Sequence, residues 1–181
     1  MGTDIHPYAE VRKNGKWERA LIRVPDDRNY WAFAVLADVR NGSGFAGCDL
    51  GDPVKPISEP RGLPEDRATF DNEVEDYESL EYVWLGDHSH SWVTLAELLA
   101  LDLDKPITMR GMVHPGPQHE AFLREGKPTQ GYCGWSSSKD AISITWQEPI
   151  REAAHIIPDI IEALRPLGAP EDVRIVFGFD S

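Results

Sequence analysis

Asn14-Gly15 sits between two runs of alternating side chains, and this arrangement constrains the chain more than any other feature in it. Asn followed by Gly supplies the two positive φ values of a type I′ turn, the turn whose twist matches that of its flanking strands. Residues 3–12 and 16–23 are therefore expected to pair as an opening β-hairpin. The first of these strands carries Asp4, His6, Tyr8, Glu10 and Arg12 at every second position, with Ile5, Pro7, Ala9 and Val11 between them. Successive side chains of a strand point to opposite faces, so acid, imidazole, phenol, acid and guanidinium share one face. That chemical variety reads as one wall of a polar pocket.

The segment "RNYWAFAVLADVRNG" supplies the other fixed point. Asn29 can cap a helix over residues 30–40, Gly42 can close it, and the body is apolar on nearly every side, as expected for a buried core helix. Residues 41–64 hold five glycines and four prolines in 24 positions, which predicts one long ordered loop. Thr94 stands three residues before Glu97, the capping-box spacing, so a helix should start there, with Leu95, Leu98 and Leu99 recurring at helical spacing. "ITMRGMV" and "AISITW" read as strands, and "PQHEAFLREG" as a short helix opened by Pro117 and closed by Gly126. Ile150, Ala153, Ala154, Ile157, Ile161 and Leu164 mark an amphipathic helix that Pro158 should kink. The closing "VRIVFGF" is β-branched and aromatic, an interior strand. These elements predict one α+β domain over residues 1–181. Its mixed sheet takes the N-terminal hairpin and the C-terminal strand, packed by a buried central helix and a C-terminal amphipathic helix.

Composition narrows the function classes. The chain carries a net charge of −13, and residues 65–81 alone contribute −7, from eight acids and one arginine. Such a surface repels phosphate backbones, so non-specific nucleic-acid binding is not expected. No apolar run approaches the roughly 20 residues of a membrane span, and the first dozen residues lack the apolar stretch of a signal peptide. Cys48 and Cys133 are far apart and outside any CxxC pair, which argues against a disulfide scaffold and for a cytoplasmic home. GxxxxGK[ST] and GxSxG are missing, which removes the P-loop and serine-hydrolase readings.

Two clusters remain for chemistry. Asp4 and His6 lie side by side on the first strand, and "LGDHSHSW" crowds Asp87, His88 and His90 into a turn before the helix capped at Thr94. His6, His88 and His90 as metal ligands, with Asp4 and Asp87 as catalytic carboxylates, make the nitrogen and oxygen set of a zinc or manganese hydrolase. Tyr8, Glu10, Trp92 and His114, the last in "HPGPQH", are the expected binding residues around a small-molecule or nucleotide substrate. His155 falls on the polar side of its helix and is expected to be a bystander.

Asp-x-His on a first strand resembles the opening motif of calcineurin-like phosphoesterases, an analogy for metal chemistry, although the Gly-Asn-His-Glu and Gly-His-x-His motifs of that family are missing. A longer resemblance is to a group of uncharacterised phage and bacterial proteins that open with MGxDIHxYxExR. It extends through "GKW", "RNY.AFA.LA.VRN", "PRGLP", "DHSHSW.TL.EL" and "VRIVF.FD", and this chain has Thr3 where the group has cysteine. The resemblance brings no assigned activity and implies a phage or prophage context. Two functions follow: a small metal-dependent hydrolase or phosphoesterase, or a non-enzymatic accessory protein that binds a nucleotide or a host protein. For the second, the acidic run with Trp84 and Trp92 would be the contact surface.

Overall fold

The computed structural model describes residues 2–68, 83–129 and 134–181 and shows an α+β fold. Most of the acidic run, and Cys133, lie outside the described residues. Asn14 and Gly15 take φ values of 51° and 79°, joining β1 (Asp4–Lys13) to β2 (Lys16–Ala20) with Lys13 opposite Lys16. The second strand stops at Ala20 rather than residue 23, because Ile22 N–H turns back onto the Ala20 carbonyl. β6 (Val173–Asp180) pairs antiparallel with β1, and β3 (His88–Thr94) pairs antiparallel with β6, giving the order β2-β1-β6-β3. The closing strand is therefore interior, buried from Val173 to Phe179. The β3 edge is covered in its turn: Gly62 N–H donates to the His90 carbonyl at 2.8 Å and Arg61 Nη1 to the Trp92 carbonyl at 3.1 Å.

Helix α1 (Tyr30–Ala37) starts at its Asn29 cap, whose side chain accepts from Ala32 N–H, and Phe33 and Leu36 are fully buried. It ends five residues before Gly42. Asp38 itself adopts the left-handed conformation (φ 59°), with its N–H on the Ala34 carbonyl and Val39 N–H on the Phe33 carbonyl. Asp tolerates that region better than most residues, and the double bond closes the helix without glycine. Phe33 meets Phe179 of β6 edge-on at 5.1 Å. On another side Trp31 lies against Gly51, which bridges to Met109 of β4 (Pro106–Val113). β4 and β5 (Ile142–Pro149) form a separate antiparallel pair, so α1 reaches both sheets from one core.

Thr94 and Glu97 make the full capping box of α2 (Leu95–Leu99), and α3 (Pro117–Glu125) opens at Pro117 and closes on left-handed Gly126. The C-terminal helix is split into α4 (Ile150–Ala153) and α5 (Ile156–Leu164). The break falls at Ala154, four residues before Pro158, where a proline ring crowds the carbonyl and has no N–H to offer it. Ile157 N–H takes the Ala154 carbonyl instead, at 2.9 Å.

The inner face of the four-stranded sheet presents Ile5, Ala9, Val93, Ile175, Phe177 and Phe179 to α1 and α5. The outer face is polar, yet its centre is as buried as the core. Glu10 and Arg174 sit opposite each other on β1 and β6, with side chains 0% and 3% exposed and Arg174 Nε 2.7 Å from Glu10 Oε2. Glu10 Oε1 accepts from Tyr8 Oη at 3.1 Å and from Ala68 N–H at 2.7 Å. Arg174 Nη2 lies 3.0 Å from Asp66, and its guanidinium packs 3.9 Å from the Trp17 ring and 5.5 Å from Trp92. Breaking a buried pair from one side leaves an uncompensated charge, typically about 3–5 kcal/mol of destabilisation. Arg174→Met is expected to lower stability by about that amount in urea melts. Adding Glu10→Gln should recover part of the loss, whereas additive losses would show that the two side chains are not coupled.

At the rim of this face Arg61 grips Glu97 through both guanidinium arms, at 3.1 and 2.6 Å. Burial pushes the Glu97 carboxyl pKa up, but Arg61 and the Thr94 backbone and hydroxyl donors outweigh it and hold the carboxyl below its ordinary value. A group depressed on folding contributes stability above its unfolded pKa, about 4.3 for Glu, and loses it as pH falls through the folded value. Glu97→Gln is expected to flatten this part of the acid limb below about pH 4.3 in thermal melts; an unchanged limb would remove Glu97 from the acid response.

Candidate functional site

The five polar residues of β1 divide into a sealed half and an open half. Tyr8 and Glu10, expected to line a pocket, are instead inside the buried network, and desolvation raises the Tyr8 phenol well above its usual range, with the neighbouring Glu10 charge adding to it. Segment 64–68 closes over them when Ala68 N–H reaches Glu10. Trp92, also expected to bind ligand, is half-buried between Arg61 at 4.8 Å and Arg174 at 5.5 Å. His114 lies in the turn from β4 to α3, in the other sheet, where its N–H donates to Gln118. His155 is exposed, as a place on the polar side of its helix predicts, and its Nδ1 lies 2.8 Å from Asn29 Nδ2, which ties the α1 cap to the C-terminal helix region.

The open half is the end of the sheet where β1 begins and β6 finishes. Asp4 is held by Arg28 through two bonds of 2.7 and 2.6 Å, and these bonds lower its carboxyl pKa. Asp4 N–H donates to Asp180 Oδ1 at 3.2 Å. His6 stands two residues on, its Nε2 buried and 3.5 Å from the same Asp180 oxygen, without a hydrogen bond. The Trp84 ring tilts over the His6 ring with centroids 4.4 Å apart, and the indole stays 44% exposed.

Gly178 makes this layering feasible. It sits opposite His6 in the register, and a Cβ there would collide with the Leu85 carbonyl and the His90 ring. The bare strand lets residues 83–87 cross the sheet, and Asp87 N–H fastens them to the Phe179 carbonyl at 2.7 Å. Asp87 itself, expected to be catalytic, is an exposed carboxylate at this end.

The two imidazoles of "HSH" were expected in a turn; they lie in strand β3, at an irregularity. Ser89 takes φ 50° and the pairing with β6 shifts register between His88 and Ser91. A bulge of this kind re-aims the residues beside it. His90 keeps to the outer face over Gly178, with Nε2 3.3 Å from the Gly86 carbonyl, while His88 pairs with inward-facing Phe179 and stacks on its ring at 6.1 Å. His88 is bracketed by hydroxyls, Ser89 on Nδ1 at 2.9 Å and Ser181 on Nε2 at 3.0 Å, and Ser181 meets Thr3, which Arg40 also holds.

The two clusters thus share one end of the sheet without sharing one point. Among the described residues no three His, Cys, Asp or Glu side chains gather to hold a metal ion. Asp4 is bonded to Arg28, His88 to two serines and His90 to a carbonyl. What remains open is an indole, an imidazole and carboxylates. Of these residues Trp84 was expected as contact surface, whereas Asp180 and the covering Arg28 were missed as site residues. The period-2 spacing of Arg174, Gly178 and Asp180 in a strand otherwise wholly apolar carried the signal for Asp180. Comparison with protein-family models, with curated proteins and with solved structures returns no match.

Gly178→Ala is expected to force residues 83–87 off the sheet, costing about 1–3 kcal/mol as overpacking does. It should also shift the His6 and Trp84 ring resonances in NMR spectra. A variant with wild-type stability and unmoved rings would show that the crossing does not depend on the bare strand.

Proposed function

We propose that this protein works by binding a protein partner, and that the open end of the sheet receives a basic side chain of that partner. The observation that carries the reading is Trp84: its indole tilts over the His6 ring and stays 44% exposed, and Asp180 lies 3.5 Å from the same imidazole. An indole face attracts a guanidinium or ammonium group, and a carboxylate next to it supplies the counter-charge. The surroundings agree in sign. Asp87 is exposed at the same end, Arg28 is neutralised by Asp4, and in the sequence the −7 run of residues 65–81 ends three residues before Trp84. The net charge of −13 steers cationic partners toward the molecule. The resemblance of the opening motif to phage and bacterial proteins fits a host protein of the cytoplasm as the partner.

The test is titration of the protein with an arginine-rich peptide and with an acidic peptide of equal length. The basic peptide is expected to bind and to weaken as salt rises, and Trp84→Ala and Asp180→Asn each to weaken it roughly fivefold or more, a loss of about 1 kcal/mol. Equal binding of both peptides, or binding indifferent to both substitutions, would overturn the reading.

One observation favours hydrolysis as the second reading. An imidazole 3.5 Å from a carboxylate, as in His6 and Asp180, is the start of a general-base pair. Turnover of phosphodiester or ester substrates, with zinc or manganese supplied and abolished in His6→Ala, would decide for it.

A further inference from the structure

Away from the open end of the sheet, loop 52–57 faces the C-terminal end of α2 and the start of β4 across a groove of about 610 Å³. The volume is within the range of small-molecule sites, roughly 300–1,000 Å³. Its floor is apolar, with Ile107 buried and Val54, Ile57 and Leu101 half-buried, and two exposed lysines, Lys55 and Lys105, stand on its walls.

The charge pattern is unusual for this chain. Acids outnumber lysines and arginines by 31 to 18, and Arg12, Arg28, Arg61, Arg110, Arg151 and Arg174 all pair with carboxylates. Lys55 and Lys105 pair with none among the described residues, although three acids line the same groove. Two of those acids are already answered, Asp52 by Arg110 and Glu97 by Arg61. The third, Asp102, has one oxygen on Asp104 N–H. Asp102 keeps its charge, so the walls offer two lysines against the single carboxylate of Asp102 above an apolar floor.

We infer that this groove is a binding site for a small amphipathic anion, an apolar body laid on Ile107 and Leu101 with a carboxylate or phosphate head between Lys55 and Lys105. The floor removes the body from water, and the ammonium groups select the charge of the head. The site is separate from the Trp84 corner and does not depend on the function proposed for it.

The experiment uses the full chain and three probes of one shape: 1-naphthoate, 1-naphthyl phosphate and the neutral 1-naphthalenemethanol. Binding is read by titration calorimetry and mapped by amide NMR shifts. Both anions are expected to bind more tightly than the alcohol, with the shifts centred on residues 52–57 and 100–108. The stronger of the two anions names the head group. Lys55→Gln with Lys105→Gln should weaken the anions roughly tenfold while leaving the alcohol and the melting temperature unchanged, since both lysines are exposed and unpaired. Anions binding no better than the alcohol, an unaltered affinity in the double variant, or shifts centred elsewhere would each overturn the inference.

Discussion

The pairing of Glu10 with Arg174 in the middle of the sheet is the constraint on which the rest of the outer face depends. A carboxylate and a guanidinium stripped of water are costly to each other's surroundings unless their remaining donors and acceptors are met. Here Tyr8 and the Ala68 backbone complete the carboxylate, while Asp66, Trp17 and Trp92 surround the guanidinium. Meeting those needs draws β2, β3 and segment 64–68 onto one point, and it fixes β1 against β6 in a register that a one-residue slip would destroy. The polar face of the first strand is therefore largely a second interior, organised by charge where the first is organised by apolar contact.

Sealing the centre decides what is left for function. The network ends at Tyr8; beyond it, toward the start of β1, residues 83–87 cross the face at Gly178. His6 lies opposite that crossing with Trp84 tilted over it, and Asp180 lies beyond, 3.5 Å from the His6 ring. The site is thus the part of a polar sheet face that the buried network does not reach, and its exposure follows from the same packing that hides Glu10.

Much of the fold was legible in the sequence, because the features that specify it are local. Asn14-Gly15, the Asn29 cap, the Thr94 to Glu97 box and Pro158 each act within four or five residues, and each does in the structure what its chemistry dictates. The site was less legible, because it is made by pairings between distant segments. Alternation put Tyr8 and Glu10 on one face with His6, but only the meeting with Arg174, 164 residues after Glu10, shows that they are buried. The dense "DHSH" motif suggested convergence, yet one left-handed serine turns His88 and His90 to opposite faces. No spacing rule marks where a bulge will fall.

Charge is what separates the two surfaces left open. Most of the arginines on the described surface are spent on neighbouring carboxylates, as Arg28 is on Asp4, Arg110 on Asp49 and Asp52, and Arg61 on Glu97. Local potential is therefore set by the groups that such pairing omits. At the end of the sheet these are Asp180 and Asp87 beside an exposed indole; in the groove they are Lys55 and Lys105 above an apolar floor. At an ionic strength near 0.15 M charges more than about 8 Å apart are largely screened, so the overall excess of acid does not cancel a pair of lysines that a bound anion touches directly. A strongly acidic chain can in this way present carboxylates near an exposed indole at one place and lysines over an apolar floor at another, each set by how the fold has paired the charges around it.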